Sequence, residues 1–153
     1  FKTFLSNQGL DPQRLIFADH LPLNQHLARL KFADLFLDTY PYNAHTSCSD
    51  ALRMNVPVVT LKGRSFASSV ASSLINTLEV NELIVNNFNE YERLSLKISN
   101  DKNYLEKIKN KIKLSKQSSN LYNPLKYTKN IEEAYQAAYK KYLSGELPQN
   151  IEL

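Results

Sequence analysis

The sequence predicts an α/β protein with a three-layer, Rossmann-like parallel sheet. Four short apolar runs recur along the first half of the chain, and the interval between neighbours leaves room for a helix. Continuous apolar runs are typical of strands buried on both faces, and their alternation with helices indicates a parallel sheet with right-handed crossovers. The predicted strands are residues 15–18, 35–37, 58–60 and 83–85.

Helical patterns fill the gaps between these runs. Pro22 suits the first turn of a helix, and Ser47 with Asp50 has the spacing of a capping box. The second helix is therefore predicted to begin at Ser47 and to end near Met54. Apolar residues at positions 1, 4 and 5 indicate a helix at the start of the chain, and further helices are predicted over 66–78, 89–99, 102–117 and 124–143.

Composition excludes several classes of protein. The 153 residues are 42% hydrophobic and 22% charged, which favours a folded domain over a disordered chain. A single cysteine, Cys48, allows neither an internal disulfide nor a cysteine-based metal site. Only three glycines are present, too few for a glycine-rich phosphate loop. Without a long apolar run or a secretory pattern, we expect a soluble protein of the cytoplasm. Because the sequence has no Asp-x-Asp motif, we expect no metal cofactor.

Two features describe the organisation of the chain. It begins with Phe1, in the middle of a helical pattern, so we expect a fragment of a longer polypeptide. Residues 1–88 are predicted to form a nucleotide-binding core that lacks its first strands, and residues 89–153 to add C-terminal helices. The net charge of +4 comes from residues 97–129, which hold nine lysines and two acidic residues.

The most informative segment is 37–50, where a buried strand ends, a polar loop follows and a helix begins. Ligands of open parallel sheets bind at the carboxyl ends of strands, and a helix N-terminus there suits a phosphate. His45, Thr46 and Ser47 would add side-chain donors, and Asp50 lies one turn further on, where a ribose hydroxyl would fit. Alternatively, Ser47 and Asp50 only cap the helix.

A second polar cluster follows the first predicted strand. His26 and Arg29 are three residues apart and share a helix face. An imidazole can stack on a base and a guanidinium can donate to carbonyl oxygens, but both residues are also typical of a solvated surface. The loop Lys62-Gly63-Arg64-Ser65 after the third strand leads into a helix. It could contact a phosphate or an acceptor, or it could be an ordinary connection.

The residues around these clusters resemble glycosyltransferase family 41, the O-GlcNAc transferase and SPINDLY family. The resemblance rests on Leu-Asp-Thr at 37–39, Asn-Ala-His-Thr-Ser at 43–47, Asp50 and Pro-Val-Val-Thr at 57–60, and it extends from about residue 10 to residue 145. It implies the C-terminal half of a two-lobe glycosyltransferase-B architecture. The donor would be a UDP-sugar, used by an inverting enzyme that modifies protein serine or threonine.

The resemblance also implies individual roles. In the family, the histidine and two hydroxyl residues of the motif hold the diphosphate of UDP, the following acid holds the ribose, and residues after the first strand hold the uracil. The matching positions are, in that order, His45, Thr46 and Ser47, then Asp50, then His26, Arg29 and Leu21. Leu23 replaces a lysine that animal members carry beside the uracil, so base selectivity can differ here.

No catalytic residue of the family matches a position of this chain, because the other lobe supplies the acceptor-handling histidine. The expected partners are therefore the UDP-sugar, an acceptor protein and the N-terminal lobe of the same polypeptide, with tetratricopeptide repeats upstream and no membrane. The chain alone is predicted to be inactive. The alternatives are a nucleic-acid or protein interaction module that uses the basic segment 97–129, and an interaction module that has lost sugar binding.

The last helix is predicted to be unusually apolar. Ile131, Tyr135, Ala138 and Tyr142 recur at spacings of three and four residues, and Tyr139 widens the stripe. In two-lobe relatives the last helices return to the other lobe, which implies that part of this stripe lacks a partner within the chain. Packing on its own sheet is the alternative.

Overall fold

A small parallel sheet organises the molecule. The structure, a computed structural model, describes residues 1–151, and within that range three strands pair: β1 (Phe36–Leu37), β2 (Val58–Leu61) and β3 (Ile84–Val85). They lie side by side in that order, all parallel, with Phe36 opposite Val58 and Thr60 opposite Ile84. The predicted α/β class and three of the four predicted strands are confirmed.

Helices connect and cover these strands. One helix lies in each crossover between strands, and the longest helices follow β3. Because all four β2 residues are buried, both faces of the central strand are covered. The helices are α1 (Lys2–Asn7), α2 (Leu23–Leu30), α3 (Thr46–Arg53), α4 (Val70–Thr77), α5 (Phe88–Asn100), α6 (Lys102–Ser118) and α7 (Pro124–Leu143).

The core lies between β2 and helices α3 to α6. Leu52, Ile75, Ile98 and Ile112 are fully buried in one continuous cluster with the β2 valines. Each such side chain contributes about 1.5–3 kcal/mol through removal of its apolar surface from water. Helices α5 and α6 thus share the core of residues 36–85, while the predicted division of the chain at residue 88 stays a prediction.

Helices α3 and α4 are both followed by a residue with left-handed backbone conformation. Asn55 and Glu79 follow α3 and α4 with φ of 64° and 56°, the left-handed region. At α3 the Val56 N–H donates to the Ala51 carbonyl, and at α4 the Val80 N–H donates to Ile75, which is the pattern of a Schellman motif. The buried valine after each left-handed residue then leads the chain back toward the sheet.

The predicted strand at 15–18 is wrong. Ile16 and Phe17 are 83% and 66% exposed, and the backbone bond of Leu15 runs back to Pro12 in a short turn. A strand requires a ladder of hydrogen bonds with a neighbour. Within the described residues no strand pairs with 15–18, so the segment is extended, apolar and outside the sheet.

The predicted helix over 66–78 is shorter than expected. Residues Phe66–Ser68 form a 3₁₀ turn, and the α-helix begins only at Val70. Ser65 and Ser68 form a capping box at the N-terminus of this turn, which stabilises the turn as a separate element before the helix. Phe66, expected on the apolar face of the helix, is 82% exposed.

Helix α7 matches its predicted bounds and has no buried residue. Tyr135, Tyr139 and Tyr142, together called the tyrosine patch, are 71%, 62% and 76% exposed. Tyr139 and Tyr142 stack on each other with ring centroids 6.5 Å apart. The expected exposure of these side chains is confirmed.

Candidate functional site

A buried carboxylate organises the loop that joins β1 to α3. Asp38, the residue after β1, is 6% exposed. Its Oδ1 accepts hydrogen bonds from the N–H groups of Thr39 at 2.8 Å and Ala44 at 2.6 Å, and its Oδ2 accepts from the Thr60 hydroxyl of β2 at 2.6 Å. One side chain therefore closes the loop on itself and ties it to the central strand.

Two more residues form hydrogen bonds that hold the same loop. The Tyr91 hydroxyl of α5 donates to the Asp38 carbonyl at 2.7 Å, and burial together with the Asp38 charge raises the pKa of Tyr91 to about 12. Asn43 is buried, and its side-chain amide donates to the Thr39 carbonyl at 2.8 Å. Asp38, Asn43 and Tyr91 were not predicted as functional residues. An acid immediately after a short apolar run was the available signal for Asp38.

The loop ends at His45, which lies at the N-terminus of α3. His45 is the N-cap residue, stacked on Tyr42 with ring centroids 5.1 Å apart and edge-on to Phe66 at 5.7 Å. Its Nε2 atom is enclosed and has no partner among the described residues. Unpartnered buried polar atoms are uncommon in folded proteins, and in this part of the fold Asn43 Oδ1 shares the property with His45 Nε2.

Helix α3 starts with donors free for a ligand. No side chain of the described residues caps its N-terminus, and Thr46 and Ser47 are exposed in the first turn. The predicted capping box is therefore wrong: the helix begins at Thr46, one residue before Ser47, and Ser47 does not accept from the helix backbone. An uncapped helix N-terminus with two hydroxyls suits an anion such as a phosphate.

Asp50 lies one turn further into α3 and is half-buried. Cys48, on the core side of the same turn, is fully buried, and burial with the Asp38 charge raises the pKa of its thiol to about 12. The thiol is therefore protonated and unreactive at neutral pH. The polar groups of this turn that a ligand can reach are those of Thr46, Ser47 and Asp50.

The second predicted cluster lies on α2. The Arg29 guanidinium donates to the Asp19 carbonyl at 2.7 Å and to Nδ1 of His26 at 3.1 Å. Because a guanidinium only donates, Nδ1 of His26 accepts, and the ring keeps its other nitrogen for a ligand. Leu21 is half-buried in the segment just before the helix. Arg29 thus orients His26.

The two clusters are on neighbouring helices, since α2 packs against α3. The convergence of His26 and Arg29 with the α3 N-terminus on one ligand stays a prediction. The basic segment is partly engaged within the fold: Lys109 pairs with Asp34 at 3.3 Å, Lys111 pairs with Glu82 at 2.8 Å, and the Lys116 ammonium donates to a backbone carbonyl.

Residues 1–151, the part of the chain that the structure describes, contain no group of three or more acidic, histidine or cysteine side chains arranged to hold a metal ion. None of their helices is both long and apolar enough to cross a bilayer.

The fold and the loop geometry define a Rossmann-like lobe with its polar residues at the helix that follows β1. Comparison with known proteins agrees with this class. The sequence profile of glycosyl transferase family 41 matches residues 1–131. The chain belongs to this family.

Similar proteins include two plant sequences and one animal sequence. A probable UDP-N-acetylglucosamine–peptide N-acetylglucosaminyltransferase SEC of Arabidopsis thaliana is 30% identical over 100% of this chain. A probable SPINDLY enzyme of Solanum lycopersicum is 32% identical over 97% of the chain, and a Caenorhabditis elegans UDP-N-acetylglucosamine–peptide N-acetylglucosaminyltransferase is 31% identical over 94%. The chain spans only 16%, 16% and 12% of those proteins.

A solved structure shares the fold. The K341M mutant of the Thermobaculum terrenum O-GlcNAc transferase superposes with a TM-score of 0.82 at 29% identity, covering 89% of this chain and 26% of that one. The similarity supports the predicted glycosyltransferase-B fold class.

Proposed function

We propose that this chain is the donor-nucleotide lobe of a UDP-sugar-dependent protein O-glycosyltransferase. The proposal is supported by the family and by relatives whose names describe transfer of N-acetylglucosamine from UDP-N-acetylglucosamine to peptides. The observation that carries it is the α3 N-terminus, which has no side-chain cap and places the unpartnered Nε2 of His45 beside exposed Thr46 and Ser47.

In this proposal, the diphosphate of UDP lies at the α3 N-terminus. When the sugar leaves, negative charge develops on the β-phosphate. Backbone N–H groups of the first turn of α3, the two hydroxyls and His45 would stabilise that charge by electrostatic interaction. The buried Asp38 acts indirectly, because it holds the Ala44 N–H and thereby the backbone that enters the helix.

The rest of the nucleotide would bind to the second cluster. Asp50 would accept from the ribose hydroxyls, and His26, oriented by Arg29, would stack near the uracil beside Leu21. The transfer is proposed to invert the sugar configuration. It would require an acceptor protein and a second lobe, and the chain alone would be inactive. We place the protein in the cytoplasm, a reducing compartment in which the free Cys48 persists.

The test is UDP binding by the full-length gene product that contains this chain, measured by titration calorimetry. The chain's three histidines provide a matched series. His45→Ala is expected to weaken UDP binding about 10- to 100-fold, the usual worth of a hydrogen bond to a charged group. His26→Ala should weaken it less, and His20→Ala, at an exposed position, should leave it unchanged.

UDP binding that His45→Ala and Ser47→Ala leave at the wild-type level would contradict this assignment. A fold control is needed because His45 stacks on Tyr42. Circular dichroism and the thermal midpoint of each variant must match those of the wild type before a loss of binding counts. No specific observation favours the nucleic-acid alternative, since several lysines of the basic segment have partners within the fold.

A further inference from the structure

A cleft of about 560 Å³ opens at the carboxyl ends of the strands. It has no role in the function proposed above. The loop after β1 contributes Tyr40, and the loop after β2 contributes Lys62, Gly63 and Arg64. Asn86, just after β3, completes the rim. The residues that follow all three strands therefore meet in this cleft, which we call the basic cleft.

The charged residues that line the basic cleft are both cationic. Lys62 and Arg64 are exposed, and neither forms an ion pair with any residue in the described range. No lining residue is acidic. The carboxylate of Glu90 accepts from the Asn86 N–H at the rim, but it also accepts from Asn87 at the start of α5. Two cationic side chains are thus available to an external anion.

The backbone that carries these two cations is tightly held. A Cβ added to Gly63 would lie 2.1 Å from the Ser68 hydroxyl oxygen, so only glycine fits between the two cationic residues. The Gly63 N–H donates to the Ser68 carbonyl at 2.8 Å, and Ser65 and Ser68 cap each other. Lys62 and Arg64 therefore project from a turn of defined shape, which limits the entropy lost when they bind a partner.

The basic cleft adjoins the proposed diphosphate position. The Asn43 N–H, in the loop that leads to His45, donates to the Ala67 carbonyl at 2.8 Å, and the Phe66 ring contacts the His45 ring. Phe66 and Tyr40 are 82% and 47% exposed. A ligand in the cleft would meet cationic groups and aromatic surface next to the site of sugar transfer.

We propose that the basic cleft is an acceptor subsite in which Lys62 and Arg64 bind acidic residues flanking the serine or threonine that receives the sugar. This inference rests on the proposed function. A polypeptide is favoured because the cleft is open and lined by the exposed Tyr40 ring, and because the diphosphate has a proposed donor set at α3. A guanidinium and an ammonium on one turn recognise carboxylates by charge-assisted hydrogen bonds.

The experiment compares two acceptor peptides that differ only in the residues beside the hydroxyl, glutamate in one and glutamine in the other. Binding to the full-length gene product is measured by fluorescence anisotropy, and UDP affinity by calorimetry in the same preparations. Lys62→Gln/Arg64→Gln is expected to weaken binding of the glutamate peptide about tenfold and to change the glutamine peptide less than twofold. UDP affinity should not change.

Two further variants complete the design. Lys62→Glu/Arg64→Glu should reverse the preference, so that a lysine-flanked peptide binds better than the glutamate peptide. Lys102→Gln/Lys107→Gln removes the same charge from an exposed helix and should leave all three peptides unaffected.

Equal weakening of both peptides, or no change, would overturn the acceptor subsite, and a parallel loss of UDP affinity would assign the cleft to the nucleotide instead. Because peptide binding is read without turnover, the two failures can be told apart: a protein that binds the glutamate peptide as expected but not UDP would refute the proposed function, and with it the acceptor role, while the basic cleft would remain a site for acidic peptides. Where transfer is measured, the double glutamine variant should raise KM for the glutamate peptide and leave kcat unchanged.

Discussion

Replacing Asp38 with alanine should loosen the loop 38–45 more than any other single change in it. The carboxylate accepts three hydrogen bonds and is 6% exposed, so its removal leaves the buried Thr60 hydroxyl and two partly buried backbone N–H groups without acceptors. Each unsatisfied buried donor costs about 1–3 kcal/mol, and partial access of water to the widened loop reduces the sum. We expect a loss of about 2–4 kcal/mol in local stability.

The conservative variant Asp38→Asn should cost less, about 1 kcal/mol. Its amide oxygen still accepts from the Ala44 N–H, and the Thr60 hydroxyl can rotate to accept from the new NH₂ group. Asp34→Ala is the matched control. It removes a carboxylate that is 77% exposed and pairs with Lys109 on the surface, an interaction whose loss changes stability little.

The assay is hydrogen exchange with mass spectrometry on the full-length gene product, read for peptides that contain the Thr39 and Ala44 amides. A loss of 2–4 kcal/mol corresponds to exchange about 30- to 1,000-fold faster, since 1.36 kcal/mol is a factor of ten. The expected order is Asp38→Ala, then Asp38→Asn, then Asp34→Ala at the wild-type rate. If Asp38→Ala exchanges no faster than Asp34→Ala, the account of the loop is refuted.

Three further predictions follow from buried or exposed groups. Tyr91→Phe should lower the free energy of unfolding in urea by about 1 kcal/mol, because it leaves the Asp38 carbonyl unpaired. Tyr104→Phe is the control and should cost less, because the Tyr104 hydroxyl has no partner in the described chain. Equal costs would contradict this. Burial raises the pKa of Cys48 from 9.0 to about 12, so the folded state holds the thiol proton more tightly than the unfolded state does. The free energy of unfolding should therefore fall as the pH rises from about 9 to 12, and it should fall less steeply in Cys48→Ala. Iodoacetamide should label the thiol only when the protein unfolds. Serine at all three positions of the tyrosine patch should reduce self-association of the chain in sedimentation velocity, and unchanged sedimentation would show that the patch does not cause association.

The fold was largely predictable from the order and character of the apolar runs. The run at 58–61 is continuous because β2 has a strand on each side and helices on both faces, and a position with that many neighbours tolerates only apolar or satisfied side chains. The run at 15–18 has the same character but no neighbouring strand among the described residues, so the same pattern led to a wrong strand. Apolar character alone does not report whether a hydrogen-bonding partner exists.

The candidate site was predictable as a segment and not as a set of contacts. The strand-to-helix loop with His45, Thr46 and Ser47 could be located because ligand sites of parallel sheets follow strand ends. The mistaken capping box arose because Ser47 and Asp50 have the correct spacing, while the helix starts one residue earlier, at Thr46. Local spacing cannot distinguish a capping residue from a residue of the first helical turn when the helix start differs by one position.

By itself, the sequence determined the class of fold and the position of the strand-to-helix loop that holds the candidate site. These depend on periodicity and on chain order, which are local properties. Only the tertiary structure decided that Asp38 holds the loop through Thr60 of the neighbouring strand and Tyr91 of α5, that Arg29 orients His26, and that Lys62 and Arg64 share one cleft with Tyr40. Most of these contacts join residues that are far apart in the chain. Tertiary packing selects the partners, so the spacing of residues along the sequence cannot predict them.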